Sequence, residues 1–146
     1  MTISAISKRR WIIRLILLAA LVGVAFWMYE IGKEYSVLID NETVTIGGNE
    51  YAAVGYATLT VDGDDAKPLS FEAEDRLVQK MVAKNHTLRV NILDEDGETV
   101  VKTVERRIKL NADAAAWMIS LPAVAAEAPE IFIPNPTFKP QDEQSD

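Results

Sequence analysis

One run of nineteen residues, from Trp11 to Tyr29, contains a single charged side chain among apolar ones (WIIRLILLAALVGVAFWMY). As an α-helix rising ~1.5 Å per residue, this run would be roughly 28 Å long, which matches the hydrocarbon core of a bilayer. It is longer than the apolar region of a cleaved signal peptide, and no small-x-small cleavage site follows it at residues 26–30. We therefore predict an uncleaved transmembrane signal-anchor helix over residues 11–29.

The flanks of this run predict how it would sit in a membrane. Trp11, Trp27 and Tyr29 lie at its two ends, where aromatic side chains favour the membrane interface. Arg14 lies one turn inside, close enough to the end for its side chain to reach the headgroups. Residues 1–10 form a basic stub, and residues 1–29 hold no acid. The positive-inside rule then predicts a cell-membrane protein with a cytoplasmic N-terminus and an extracytoplasmic remainder, periplasmic in a Gram-negative cell.

Beyond a linker at residues 30–34, the apolar residues alternate with polar ones, which is typical of half-buried strands. The first predicted hairpin turns near residues 40–43, so that Ile39 faces Val44 and Val37 faces Ile46. We predict a β domain over residues 35–121. The chain has no Cys, so apolar burial alone must stabilise this domain.

A second hairpin is predicted between Leu88 and Leu110, around the turn residues Asp96 and Gly97. A three-residue loop with Gly97 in the left-handed region places Ile92 opposite Val100 and Leu88 opposite Val104. This register puts the apolar residues of both strands on one face, whereas a two-residue loop would not. The register also places Lys102 and Arg106 on that face.

Two other segments are less regular. Residues 72–83 (EAEDRLVQKMVA) favour a short helix or turn, because Leu77 and Met81 are four residues apart, with an edge strand and turn as the alternative. Residues 117–121 (WMISL) predict a further strand. Short strands with turns at regular intervals predict a mainly β fold, a small antiparallel sandwich of immunoglobulin-like type.

The last segment, residues 122–146, is predicted to be a Pro-rich acidic tail outside the domain, because proline does not join helices or central strands. An apolar triplet within it, Ile131, Phe132 and Ile133, has no role in such a tail. We therefore predict that the triplet binds a partner, and that deletion from Pro129 onward leaves the fold intact.

The composition disfavours several functions. The net charge is −7, and from Glu30 onward acids outnumber bases two to one, which argues against nucleic-acid binding. One His and no Cys leave few ligands for zinc. No Ser stands in a G-x-S-x-G context, and no phosphate-binding loop is present. These observations predict a protein that is not an enzyme and needs no cofactor.

Acidic turns raise a calcium hypothesis, with Asp62 and Asp64 on one loop and Asp94 and Asp96 on another. Ca²⁺ takes about six to eight oxygen ligands, so a site would need both loops at the same end of the sandwich. The alternative is that these acids simply form turns and keep the loops soluble.

A basic stub, an anchor (KRRWIIRLILLAALVGVAFWMY), a β hairpin (ILDEDGETV) and a later strand (MISLPA) together resemble the uncharacterised single-pass envelope proteins of bacteria with a small extracytoplasmic β domain. The resemblance is one of architecture and implies no functional residue. The sequence thus predicts a membrane-anchored interaction domain with two partners, the lipid bilayer and an integral membrane or envelope protein such as a transporter. A ligand-binding or calcium-binding module is the alternative.

Overall fold

The computed structural model describes residues 5–139 and divides the chain into two units, residues 1–33 and residues 34–146. The first four residues of the predicted basic stub and the last seven of the predicted tail lie outside the described residues. The described residues of the first unit contain one α-helix, α1, at Ala5–Ile31. Its segment Ser7–Ile31 is long and apolar enough to cross a bilayer. The predicted helix at residues 11–29 is therefore confirmed, and it extends further in both directions.

The second unit is mainly β, and its residues 34–139 form two four-stranded sheets and one two-stranded arm. The first sheet has the order β10-β9-β1-β6, the second has the order β5-β4-β7-β8, and β2 pairs with β3 in the arm. Short helices follow β8 and β9, a 3-10 helix at Ala114–Ala116 and α2 at Leu121–Ala125. The strands are β1 Glu34–Asp40, β2 Val44–Ile46, β3 Asn49–Tyr51, β4 Tyr56–Val61, β5 Leu69–Glu72, β6 Arg76–Val82, β7 Asn85–Leu93, β8 Val100–Lys109, β9 Trp117–Ser120 and β10 Phe132–Pro134.

The alternating pattern of the sequence is what builds the core. Tyr35, Val37 and Ile39 of β1 are buried, as their spacing predicted, because successive strand residues point to opposite faces. They form one apolar cluster with buried residues of the second sheet, such as Leu59 and Leu88. The two sheets therefore share one core.

Strand directions give this unit two ends. We call the end at which β1 begins the proximal end, and the end at which β1 finishes the distal end. The proximal end carries the β4–β5 loop and the β6–β7 turn, and the distal end carries the β2–β3 arm, the β5–β6 turn and the β7–β8 loop.

Among the described residues, six strand pairings are antiparallel and one is parallel. The parallel pair joins β1 to β9, with Leu38 beside Met118. The prediction of an antiparallel fold is confirmed at the other described pairs and wrong at this one. The long connection from β1 to β9 lets the chain return to the proximal end before β9 starts, which parallel pairing requires.

The first predicted hairpin is wrong, because β1 does not pair with β2. The chain turns away at Asn41, whose buried side chain is bonded to Val54 and Glu72 rather than left in an open turn. The β2–β3 arm instead folds on itself around Gly47 and Gly48, which have φ values of +58° and +83°. β1 is left free to pair with β6 and β9.

The second predicted hairpin exists, but its register differs from the prediction by two residues. Leu88 lies opposite Arg106 instead of Val104, and Ile92 opposite Lys102 instead of Val100. A register irregularity between Ile92 and Leu93 and a longer loop over residues 94–99 absorb the difference. A shift of two keeps side chains on their face, so the predicted faces stay correct for Lys102, Val104 and Arg106. Val100 is the exception, because beyond the irregularity it lies opposite Leu93 and not on the face of Ile92. Gly97 has the predicted left-handed φ, at +70°.

Residues 72–83 are not helical. They form the end of β5, a turn and the edge strand β6, which is the alternative that the sequence left open. Leu77 and Met81 both point inward from β6. A spacing of four places two residues on one face of a helix and equally on one face of a strand, so the spacing could not decide between them.

The domain does not end at residue 121. α2 is entirely buried, Ile131 enters the core, and β10 adds a strand beside β9. Prolines are tolerated here because Pro122 lies in the first turn of α2 and Pro134 ends the edge strand β10. The predicted tail is therefore part of the domain as far as β10.

Candidate functional site

The two acidic loops lie at opposite ends of the domain. Asp62 and Asp64 follow β4 at the proximal end, whereas Asp94 and Asp96 follow β7 at the distal end. They cannot contribute ligands to one ion, so the two-loop calcium site is corrected. Within residues 5–139, no group of three or more His, Cys, Asp or Glu side chains could hold a metal ion.

The distal carboxylates organise their own loop. Asp96 accepts hydrogen bonds from the N–H groups of Glu98 at 2.9 Å and Thr99 at 3.2 Å. These bonds, that of Glu98 foremost, lower the pKa of Asp96, because they stabilise the charged carboxylate. Asp94 accepts a bond from the N–H of Glu95 at 2.7 Å. Turn formation, the alternative role of these acids, accounts for these contacts.

At the proximal end, Asp62 forms a pair with the single histidine, His86. Asp62 Oδ2 lies 2.6 Å from Nδ1 of the buried His86 ring, and Asp62 Oδ1 accepts a bond from the N–H of Thr87 at 2.8 Å. Burial works to raise the pKa of Asp62, but the bonds from Thr87 and His86 outweigh it, so the pKa lies below its ordinary value. The backbone of Asp62 has a left-handed φ of +53°, which Asp tolerates better than most residues.

Both nitrogens of the His86 ring face oxygen atoms. Nε2 lies 3.0 Å from the carbonyl oxygen of Ala83, and Nδ1 faces the Asp62 carboxylate. Both distances are within hydrogen-bond range, so the ring bridges the Asp62 carboxylate and the Ala83 carbonyl. The ring therefore acts as a clamp between the β4–β5 loop and the β6–β7 turn.

A cleft of about 430 Å³ opens beside this pair, between the edge strands β5 and β6. Its floor is apolar and reaches the core at Leu59 and Met81. Polar side chains line it as well, among them Lys67, Gln79 and Lys80. In the part of the chain that the structure describes, the lining includes no Ser, Thr, Cys or Tyr. The cleft offers shape and charge for binding rather than a hydroxyl or thiol nucleophile.

Sequence reasoning missed both the pair and the cleft. Asp62 and His86 are 24 residues apart, and neither belongs to a local motif. The one signal available was Gln79, a polar residue at an inward position of β6 between Leu77 and Met81. An inward polar side chain on an edge strand indicates that solvent reaches the core at that position, as it does in the cleft that Gln79 lines.

The predicted anchor residues all lie on α1. Trp11, Arg14, Trp27 and Tyr29 are exposed, and none of the apolar window of this helix is buried. Their side chains are thus available for contact with lipid or with another helix.

The predicted partner-binding triplet lies within the domain instead. Ile131 is buried in the core, and Phe132 and Ile133 are half-buried in β10. Lys102 and Arg106 hold the preceding segment, because Lys102 donates to the carbonyl of Ala125 at 3.2 Å and Arg106 donates to the carbonyls of Ala128 and Pro129. The triplet's apolar character is explained by the fold, and deletion from Pro129 onward would remove part of the core.

The chain thus combines one apolar helix of membrane-spanning length with one small, mainly β domain. Residues 4–146 match a family of unknown function, DUF6672, and the chain belongs to that family. No curated protein and no solved structure matches the chain.

Proposed function

We propose that this is a single-pass membrane protein whose small, immunoglobulin-like β-sandwich lies outside the cytoplasm and acts by binding another membrane or envelope protein. The observation that carries the proposal is α1, a helix of membrane-spanning length with an unburied apolar surface, followed after two residues by β1. The two four-stranded sheets with one shared core support the sandwich class.

The exposed surface of α1 supports membrane insertion. Each large apolar side chain left in water forgoes about 1.5–3 kcal/mol of transfer free energy, and α1 exposes more than a dozen of them. A helix that is apolar on all sides needs a lipid or protein environment. The cluster Lys8, Arg9 and Arg10 immediately before the span supports a cytoplasmic N-terminus.

The absence of Cys makes this topology easy to test, since single Cys residues report position without background. Thr2→Cys and Glu50→Cys variants of the full chain would be exposed in intact cells to a membrane-impermeant thiol reagent. We expect labelling at residue 50 and protection at residue 2 until the membrane is opened. The reverse pattern, or recovery of the protein in a soluble fraction, would refute the anchor and its orientation.

Binding would be tested on the full chain with a C-terminal tag, crosslinked in membranes and purified in mild detergent. We expect one integral membrane or envelope protein to be recovered in fixed proportion. The matched control is Leu18→Arg, which places a charge in the span and should reduce both membrane recovery and partner recovery. A chain recovered alone in the membrane fraction would count against an interaction role.

The cleft beside β5 and β6 favours a second candidate function, the binding of a small amphipathic molecule. Its volume of about 430 Å³ falls in the range of small-molecule sites, and it has an apolar floor and a polar rim. Native mass spectrometry of the full chain extracted from membranes should detect a bound mass that Leu69→Trp abolishes. Val78→Trp, on an exposed position of β6, is the control. A chain that carries no added mass would refute this candidate.

A further inference from the structure

The exposed surface of the second sheet changes character along its strands. Along the middle, polar residues face each other across three strands, as Thr58, Asn91 and Thr103 do. At the distal end, a groove of about 390 Å³ is lined mainly by apolar side chains, those of Tyr56, Ile92, Leu93 and Val101. We call it the distal groove. Its other lining residues are Gly55, Asp94 and Glu95.

The groove borders a free strand edge. β8 is the terminal strand of its sheet, and edge strands are normally protected by charged residues. From Lys102 onward β8 carries such charges, but its first two residues are Val100 and Val101. Val101 exposes 65% of its surface. The part of this edge beside the groove is therefore the part without charge protection.

The wall of the groove is held in place. The loop over residues 94–99 is closed by bonds from the N–H of Asp94 to the carbonyl of Thr99 and from the N–H of Gly97 to the carbonyl of Asp94, each 2.9 Å long. The ring of Tyr56 packs on this loop, since a Cβ on Gly97 would lie 3.7 Å from it. A preformed wall reduces the ordering cost of binding.

The charged residues that line the groove or lie in its loop are all acids. Four of them, Asp94, Glu95, Asp96 and Glu98, lie in the loop. The nearest base in β8, Lys102, lies on the inner face opposite Ile92 and donates to the carbonyl of Ala125. An apolar groove next to four carboxylates attracts a group that is both apolar and cationic, because complementary charge steers encounter and penalises partners of like charge.

Resting on the proposed binding function, we infer that the distal groove docks an extended basic segment of a partner protein, with an apolar side chain in the groove and Lys or Arg residues beside the acidic loop. In the described residues no strand pairs with the outer side of β8, so its backbone next to Val100 can pair with such a segment. A second copy of this chain would bring its own acidic loop, and an anionic bilayer surface would also meet these carboxylates. Both are disfavoured by like charge.

Photo-crosslinking in the full, membrane-embedded chain tests this inference. In the test variant, a photoreactive phenylalanine analogue replaces Val101. In the first control it replaces Thr103, which is exposed on the same strand. In the second control it replaces Val78 on β6, which exposes 62% of its surface. We expect a crosslink from position 101 that is at least about fivefold stronger than from position 103. The crosslinked peptide of the partner, sequenced by mass spectrometry, should carry a net positive charge and an apolar residue.

Charge reversal sharpens the result. Glu95→Lys should reduce the yield from position 101 at least about fivefold, whereas Glu130→Lys, an exposed acid outside the distal groove, should leave it unchanged. Circular dichroism of each variant verifies that the fold is retained. Equal yields from positions 101 and 103, an acidic crosslinked peptide, a lipid adduct or a crosslink to a second copy would each overturn the inference.

The two proposals fail in different ways. A protein partner crosslinked from position 78 but not from position 101 would overturn the basic-segment inference and leave the interaction role standing. No protein crosslinked from any of the three positions would count against both.

Discussion

The two ends of the domain each bury a polar side chain that ties distant segments together, and they do so by different chemistry. At the distal end, the neutral Asn41 donates to the carbonyls of Val54 and Glu72 and accepts from the N–H of Val54. At the proximal end, His86 faces Asp62, a residue that is half exposed at the mouth of a cleft. The contacts of Asn41 involve backbone groups that do not titrate, whereas the contact of His86 with Asp62 depends on a carboxylate.

The largest expected effect is at the distal end. Asn41→Ala removes three hydrogen bonds to the backbone of Val54 and Glu72, each worth about 1 kcal/mol, so the free energy of unfolding should fall by about 3 kcal/mol. Chemical denaturation of the full chain in detergent measures it. Asn49→Ala, at an exposed position of β3, should change it by less than about 0.5 kcal/mol. Equal effects of the two variants would mean that Asn41 does not hold the distal end.

Removal of the His86 ring at the proximal end should lower the free energy of unfolding by less than Asn41→Ala does. His86→Leu removes the ring nitrogens that lie 3.0 Å from the Ala83 carbonyl and 2.6 Å from Asp62, but Asp62 is exposed enough for water to replace the ring. We expect the free energy of unfolding to fall by about 1–2 kcal/mol. The neighbouring Asn85→Ala, at an exposed position, is the control. A loss as large as that of Asn41→Ala would remove the difference between the two ends.

A smaller effect tests the wall of the distal groove. Gly97→Ala forces a side chain into a left-handed backbone at φ +70°, at a cost of about 1 kcal/mol, although the space beside Tyr56 admits a methyl group. Gly55→Ala lines the same groove without a positive φ and serves as the control. The two variants are compared by denaturation, and a similar loss in both would show that backbone strain is not the cause.

The smallest expected effect is a difference in pH dependence. The contribution of Asp62 to the free energy of unfolding should change with pH, whereas that of Asn41 should not. The pKa of Asp62 is lower in the folded chain than its ordinary value of 3.8, so its contribution to stability is present above that pH and is lost as the pH falls through the folded value. Denaturation at pH 7 and pH 3 should therefore show a smaller effect of Asp62→Asn at pH 3. The effect of Asn41→Ala should be the same at both pH values. An Asp62→Asn effect that does not change with pH would contradict the assignment.

Local patterns in the sequence predicted the parts of the fold that depend on residues close to one another in the chain. The apolar run predicted α1, period-two alternation predicted the buried face of β1, and the Asp96–Gly97 turn predicted a left-handed Gly97. Pairing was not predictable in this way, because β1 finds β9 about eighty residues later in the chain. Register was ambiguous for a related reason, since a shift of two residues leaves the same faces buried.

The candidate sites were less predictable than the fold. Asn41 looks like a turn residue in the sequence, and only the return of residues 54 and 72 to the same place shows that it is buried and fully bonded. The Asp62–His86 pair depends on the β4–β5 loop and the β6–β7 turn meeting at the proximal end. The triplet at residues 131–133 was misassigned because apolar residues among prolines resemble a binding motif until β9 is seen beside them.

The central position of β1 also decides when this protein can fold during synthesis. β1 leaves the ribosome first among the strands, yet its two neighbours are β6 and β9, and β9 is completed only at Ser120. Ile131 and β10 close the core later still. Such non-local contacts form slowly, and here they form only after every residue from β1 to β10 has been synthesised. Until then the emerging domain is an open chain, whose apolar strand faces lack the partners that bury them.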